Sequence, residues 1–99
     1  MAIDVVWEDE SGAKLATCPV AWEERMGRGA ILERSHCLQY IDPYGDTTFN
    51  QLQLTQLTRE LAQATAQIPG TSLRQQAETV VEFVRGCVGL HTYIKFIGD

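Results

Sequence analysis

Residues 39–50, Gln39-Tyr-Ile-Asp-Pro-Tyr-Gly-Asp-Thr-Thr-Phe-Asn50, run from an apolar stretch into a tight turn with an aspartate at each end, and out again. Pro43 at the second position of the turn pre-sets φ, and Gly45 supplies conformational freedom. Upstream, residues 36–42 read as a strand. Leu38 and Tyr40 fall on one side, Cys37 and Ile41 on the other, apolar enough on both for an interior position. Downstream, residues 47–53 read as the returning strand of a hairpin, because Thr-Thr-Phe is β-prone. The competing reading starts a helix at once, with Asp46 or Thr48 as its cap.

Working outward, Ile3, Val5 and Trp7 alternate with Asp4, Val6 and Glu8, which predicts a first strand over 3–8. Gly12 sits in a turn, and residues 15–20 return as a second strand. Pro19 cannot donate to a ladder, so this strand lies at an edge or ends there. In 21–35, residues 22–26 suit a helical turn and Gly27-Arg-Gly29 breaks it. Ile31 and Leu32 are the only strong apolar anchors of 27–35, which is expected to be a mobile loop over the sheet.

Two helices follow. Leu54, Leu57, Leu61, Ala64 and Ile68 recur every three or four residues, predicting a helix over 56–67 that Pro69-Gly70 stops. Ser72 and Gln75 have capping-box spacing, predicting a second helix over 73–87. Its buried face carries Leu73, Ala77, Val80, Val81, Val84 and Val88, widened by Phe83 and Cys87. Residues 90–97 read as a central strand, with Leu90, Thr92, Ile94 and Phe96 alternating with His91, Tyr93, Lys95 and Ile97. The order β-β-β-β-α-α-β predicts a single α+β domain over residues 1–99. Four to five antiparallel strands carry a helical hairpin on one face, and the other face is partly open.

At 44% hydrophobic and 21% charged, the chain has the composition of a folded protein rather than a disordered one. The net charge is −5, and residues 1–10 hold Asp4, Glu8, Asp9 and Glu10 with no base. That disfavours nucleic acid and anionic membranes as partners, both of which need a basic footprint. An acidic edge instead steers a basic partner. No signal peptide is visible, and no apolar run approaches the ~18 residues of a membrane span. Three unpaired cysteines, Cys18, Cys37 and Cys87, suit a reducing, cytoplasmic compartment as core residues.

No catalytic set stands out. Cys37 and His91 could form a thiol dyad if their strands were neighbours, whereas His36 points away from Cys37 on a strand. No local pair of cysteines or histidines is spaced to hold zinc. Asp42 and Asp46 lack the calcium-loop pattern and are expected to bond the backbone N–H groups of their own turn. Neither a cofactor nor a metal is expected. Gln56, Thr58, Gln63 and Gln67, with Arg59 and Glu60 as the only charges, make the polar face of the first helix. Gln75 and Gln76 begin the second. Charge-poor faces of this kind suit a protein partner.

The pattern at 40–50, followed by Glu60-Leu61 and then by Tyr93-Ile-Lys-Phe-Ile-Gly-Asp99, resembles a family of small, uncharacterised bacterial proteins. In size, acidity and single-domain build the chain is also similar to the immunity proteins of bacterial toxin systems. The resemblance carries no catalytic residue. Small size, the acidic N-terminal hairpin, the Asp42–Asp46 turn and the missing catalytic set together point to an inhibitor or immunity protein that occludes a basic protein surface, with Glu8, Asp9, Glu10, Asp42, Tyr44 and Asp46 as expected contacts. The alternatives are a self-associating structural or regulatory module, homodimeric through the Gln-rich helical face or a sheet edge, and a small thiol enzyme using Cys37 and His91.

Overall fold

A computed structural model describes residues 2–27 and 34–98. Among them lie five strands and two α-helices. The strands are β1 (Ala2–Glu8), β2 (Lys14–Thr17), β3 (Trp22–Glu23), β4 (Asp46–Phe49) and β5 (Tyr93–Ile97); the helices are α1 (Leu54–Ala66) and α2 (Thr71–Arg85). The sheet is antiparallel in the order β2-β1-β5-β4, and β3 pairs with the start of β1. The expected α+β plan, an antiparallel sheet with a helical pair, is therefore the fold, with β5 central between β1 and β4.

The register sorts the residues by face, because directly paired residues point to the same side. Val5 lies opposite Phe96, and Phe96 opposite Thr47; Ala16, Trp7, Ile94 and Phe49 make the next row. These two rows turn towards the helices. Ile3, Val5, Ile94, Phe96 and Phe49 are buried in one apolar cluster with Leu57, Leu61, Ala64, Ala77, Val80 and Val84. Phe49 and Phe96 meet edge to face, 5.8 Å between ring centres. The apolar stripes of both helices are thus used as their spacing predicts, except at Val88, which lies beyond the end of α2 at Arg85; each helix begins two residues before its expected start.

The third strand is not where the sequence placed it. Residues 36–42 form no strand; a 3₁₀ turn occupies Leu38–Tyr40. The cause is Glu60, expected on the polar face of α1 but only 2% exposed. Its Oε1 accepts the backbone N–H groups of Cys37 (2.9 Å) and Leu38 (3.0 Å), and its Oε2 that of His36 (2.7 Å). Three successive N–H groups converge on one carboxylate. A strand cannot do this, since its N–H groups alternate in direction. A two-residue strand, Trp22–Glu23, instead pairs with the start of β1, within residues 22–26 that were expected to make a helical turn. The helical turn foreseen near 22–26 appears as a 3₁₀ turn over Glu24–Gly27. Ile31 and Leu32, the anchors expected for 27–35, lie outside the described residues.

Smaller departures have local causes. β2 stops at Thr17, before Pro19, and occupies the expected edge. The strand expected over 47–53 ends at Phe49, and Gln53 donates its N–H to Asn50 instead. Gly70, not Ser72, precedes α2, and no side chain caps it. Val88 and Leu90, expected inside, are 67% and 86% exposed. The turn at 42–45 closes through Gly45 N–H to Asp42 O, and Gly98 donates its N–H to Gly45 O at 2.8 Å. A Cβ on Gly98 would lie 2.6 Å from the Asp42 carbonyl oxygen and closer still to that of Pro43, so the C-terminal turn packs there only as glycine.

Candidate functional site: the outer sheet face

The second face of the sheet carries the other set of registered residues. Asp4, Ile97 and Asp46 form one row; Thr17, Val6, Lys95 and Thr48 the next; Lys14, Glu8 and Tyr93 the third. Val6 is buried yet stands outside the helix-side cluster, covered by its neighbours on this face. Asp4, Asp46, Thr48, Thr17 and Lys14 are exposed, and Tyr93, Lys95 and Ile97 half-buried.

Lys95 is the centre of this face. Its Nζ lies 3.4 Å from Asp46 Oδ2 and 4.0 Å from Glu8 Oε2. One cation thus draws together two of the six expected contact residues from strands on either side of β5. The face holds Asp4, Glu8 and Asp46 against Lys14 and Lys95.

The other four expected contacts divide between the two ends of the sheet. Asp9 and Glu10 follow Glu8 at the Tyr93 end. Asp42 and Tyr44 precede Asp46 at the Ile97 end. Asp4 and Glu8 are four residue steps apart along β1, about 13 Å, so the two acidic turns bracket the face rather than meet. Both first aspartates serve their own turns. Asp9 Oδ1 accepts from Ser11 N–H (2.9 Å), Ser11 Oγ–H (2.7 Å) and Ala13 N–H (3.0 Å). The Ser11 hydroxyl and these backbone donors hold its carboxyl below the usual aspartate value. Asp42 Oδ1 accepts from Tyr44 N–H at 2.8 Å. Glu10 is exposed, and Tyr44 is 70% exposed.

The thiol dyad gains no geometric support. Cys37 is 2% exposed, and burial, with the Glu60 carboxylate beside it, pushes its thiol up to about 11. A nucleophilic cysteine needs the opposite shift. His91 is exposed two residues before β5, in a left-handed conformation (φ 57°), so the strand expected over 90–97 begins only at Tyr93. Cys87 is likewise raised to about 11 by burial and by Cys18. Among the described residues, no three His, Cys, Asp or Glu side chains gather as metal ligands, and no helix is long and apolar enough to cross a membrane.

Sequence reasoning missed three polar residues that organise the molecule. Glu60 has been described. Gln51 donates from Nε2 to Cys87 O (2.9 Å) and Thr92 Oγ1 (3.0 Å), tying the β4–α1 connection to the α2–β5 connection. Gln76, expected on a free face, donates to Ala21 O (2.9 Å) and Glu23 Oε2 (3.1 Å), fastening α2 to β3. A glutamine offers no sequence signal for such a bridge, because both partners are distant in the chain. No family model matches the chain, and no curated protein or solved structure shows significant similarity to it.

Proposed function

We propose that this protein is a non-enzymatic binding module of the inhibitor or immunity type, which blocks a basic protein surface with the outer face of its sheet. The observation that carries this reading is the arrangement around Lys95. Glu8 and Asp46 share that one cation, and Asp4 stands beside them without a base opposite it in the register. The acidic turns at either end extend the same sign of potential. A twisted, open sheet face about 13 Å along the strands is suited to cover a partner rather than to enclose a small substrate. Negative potential on such a face raises the association rate with a basic partner and fixes its orientation. The three free thiols, all buried, suit action in the cytoplasm.

The test reverses the face without touching the core. A partner captured by the immobilised protein from the cells that produce it is titrated against the parent chain and against Asp4→Lys combined with Asp46→Lys. Affinity is expected to fall by about tenfold or more, mainly through a slower association that no longer responds to salt. An unchanged affinity in a folded variant removes this face from the interface.

A further inference from the structure

The end of the molecule beyond Glu8 and Tyr93 exposes apolar surface that the outer face does not need. Leu52 is 93% exposed, Leu90 86% and Val88 67%. Leu52 and Leu90 form opposite lips of a cleft of about 290 Å³, floored by Gln51 and Thr92 and flanked by His91 and Tyr93. Gln51 holds the two lips together through its bonds to Cys87, Gly89 and Thr92. The apolar surface is therefore displayed on a braced support rather than on free loops. Next to it, Val88 and Leu54 line a second cleft of about 420 Å³ with Arg59 and Arg85. Large aliphatic side chains clustered in this way mark an interaction surface more often than plain solvent exposure.

The charge of this end is anomalous. In a chain of net charge −5, neither cleft is lined by a carboxylate, and the basic lining groups are Arg59, Arg85 and the imidazole of His91. Arg85 pairs with Glu82 on the exposed surface of α2. Arg59 reaches only Gln56, at 3.4 Å, among the described residues. The surface asks for an occupant with an aliphatic anchor and acidic neighbours.

This chain carries such an element at the same end. The β1–β2 connection presents the exposed Glu10 and the internally bonded Asp9, with Leu15 47% exposed just beyond. Leu15 is the extra residue of the bulge that shifts the register between Trp7 and Glu8, and bulges commonly re-aim a side chain in this way. Lys14, the one base of the tip, pairs in register with Glu8 on the outer face. Glu8 itself lies opposite Tyr93, so tip and cleft are neighbours on one surface. Two complementary patches side by side are what a two-fold axis needs, because each copy then offers its tip to the cleft of the other.

We propose that this end is the interface of a two-fold homodimer, in which the Glu10–Leu15 tip of each copy covers the Leu52–Leu90 cleft of its partner. The surface differs from the Gln-rich helical face, and it leaves Asp4, Lys95 and Asp46 free.

Sedimentation velocity from about 10 µM to about 1 mM tests this. The parent chain is expected to pass from monomer to dimer within that range, and higher salt is expected to weaken the dimer. Leu90→Asp and Leu52→Asp alter side chains that touch little else, so both should keep the parent's circular dichroism and melting temperature while weakening association about tenfold or more each. Arg59→Glu should weaken it too, and Glu10→Arg in the same chain should restore it. Asp4→Lys with Asp46→Lys should leave the dimer intact, which separates this proposal from the binding function above. A chain that remains monomeric at about 1 mM overturns the proposal. So does a dimer indifferent to both leucine substitutions, or a growing series of larger species in place of a closed pair.

Discussion

Glu60 shows how one buried carboxylate decides a local fold. Burial pushes its pKa up, but hydrogen bonds from Gln56 and from the backbone N–H groups of His36, Leu38 and Cys37 outweigh that cost and leave it below the ordinary glutamate value. Glu60→Gln keeps the shape but turns one acceptor into a donor facing backbone N–H groups. We expect it to destabilise the protein by about 2–4 kcal/mol, since a charged acceptor is lost and buried donors go unpaired. The pH dependence has a definite sign. A carboxyl depressed in the folded state stabilises fully above its unfolded value and loses that contribution as pH falls through its folded value. Urea midpoints of parent and variant should therefore differ widely at neutral pH and converge in acid, below the unfolded pKa of about 4.3. A gap that stays constant into acid would show that the charge of Glu60 is not what holds residues 36–38.

At the scale of elements, the parts legible in the sequence were those whose pattern repeats. The alternation of β1 and β5 and the three-to-four spacing in α1 and α2 each repeat a signal over several residues, and the core uses them accordingly. Residues 36–42 made a run as long as β1 but carried apolar residues on both sides, without the in–out alternation of β1. There, hydrogen bonds donated by the backbone to a carboxylate 22 to 24 positions away outcompeted β propensity. The Ser72–Gln75 spacing failed as a cap because α2 already begins at Thr71. β2 shows the reverse, a prediction from one residue: Pro19 implied an edge, and the bulge and Lys14 further protect it from pairing with another chain. The helix stripe also separates side chains by consequence. Leu61, with no exposed surface, should cost about 2–5 kcal/mol when cut to alanine. Val88, two-thirds exposed beyond the end of α2, should cost less than about 0.5 kcal/mol on the same change. Chemical denaturation of the two variants measures this directly; equal losses would mean that the stripe does not carry the packing.

The whole molecule divides its surface by sign and polarity more sharply than its composition suggests. Acids outnumber bases on the outer sheet face, and the clefts beside Leu52, Leu90 and Val88 are lined by apolar and basic groups without an acid, next to the acidic 9–10 turn, while the sequence alone showed an acidic N-terminal stretch and the Asp42–Asp46 turn. The candidate face was legible residue by residue, in Glu8 and Asp46. Its centre was not, because Lys95 becomes the focus only once β1 and β4 flank β5. Beneath both surfaces lies one continuous apolar cluster that takes residues from β1, β3, β4, β5, α1 and α2. Trp22 sits in that cluster and Trp7 packs against it, so their fluorescence reports on the sheet and its junction with the helices. Far-ultraviolet circular dichroism reports chiefly on α1 and α2. If the cluster makes the sheet and helices one cooperative unit, the two signals should follow the same urea curve with a single midpoint. The slope should fall in the range of about 1–3 kcal/mol/M usual for small proteins. Separate midpoints, with the helices persisting after the tryptophans are exposed, would mean that α1 and α2 hold together without the sheet, and that the layers are joined more weakly than their shared core implies.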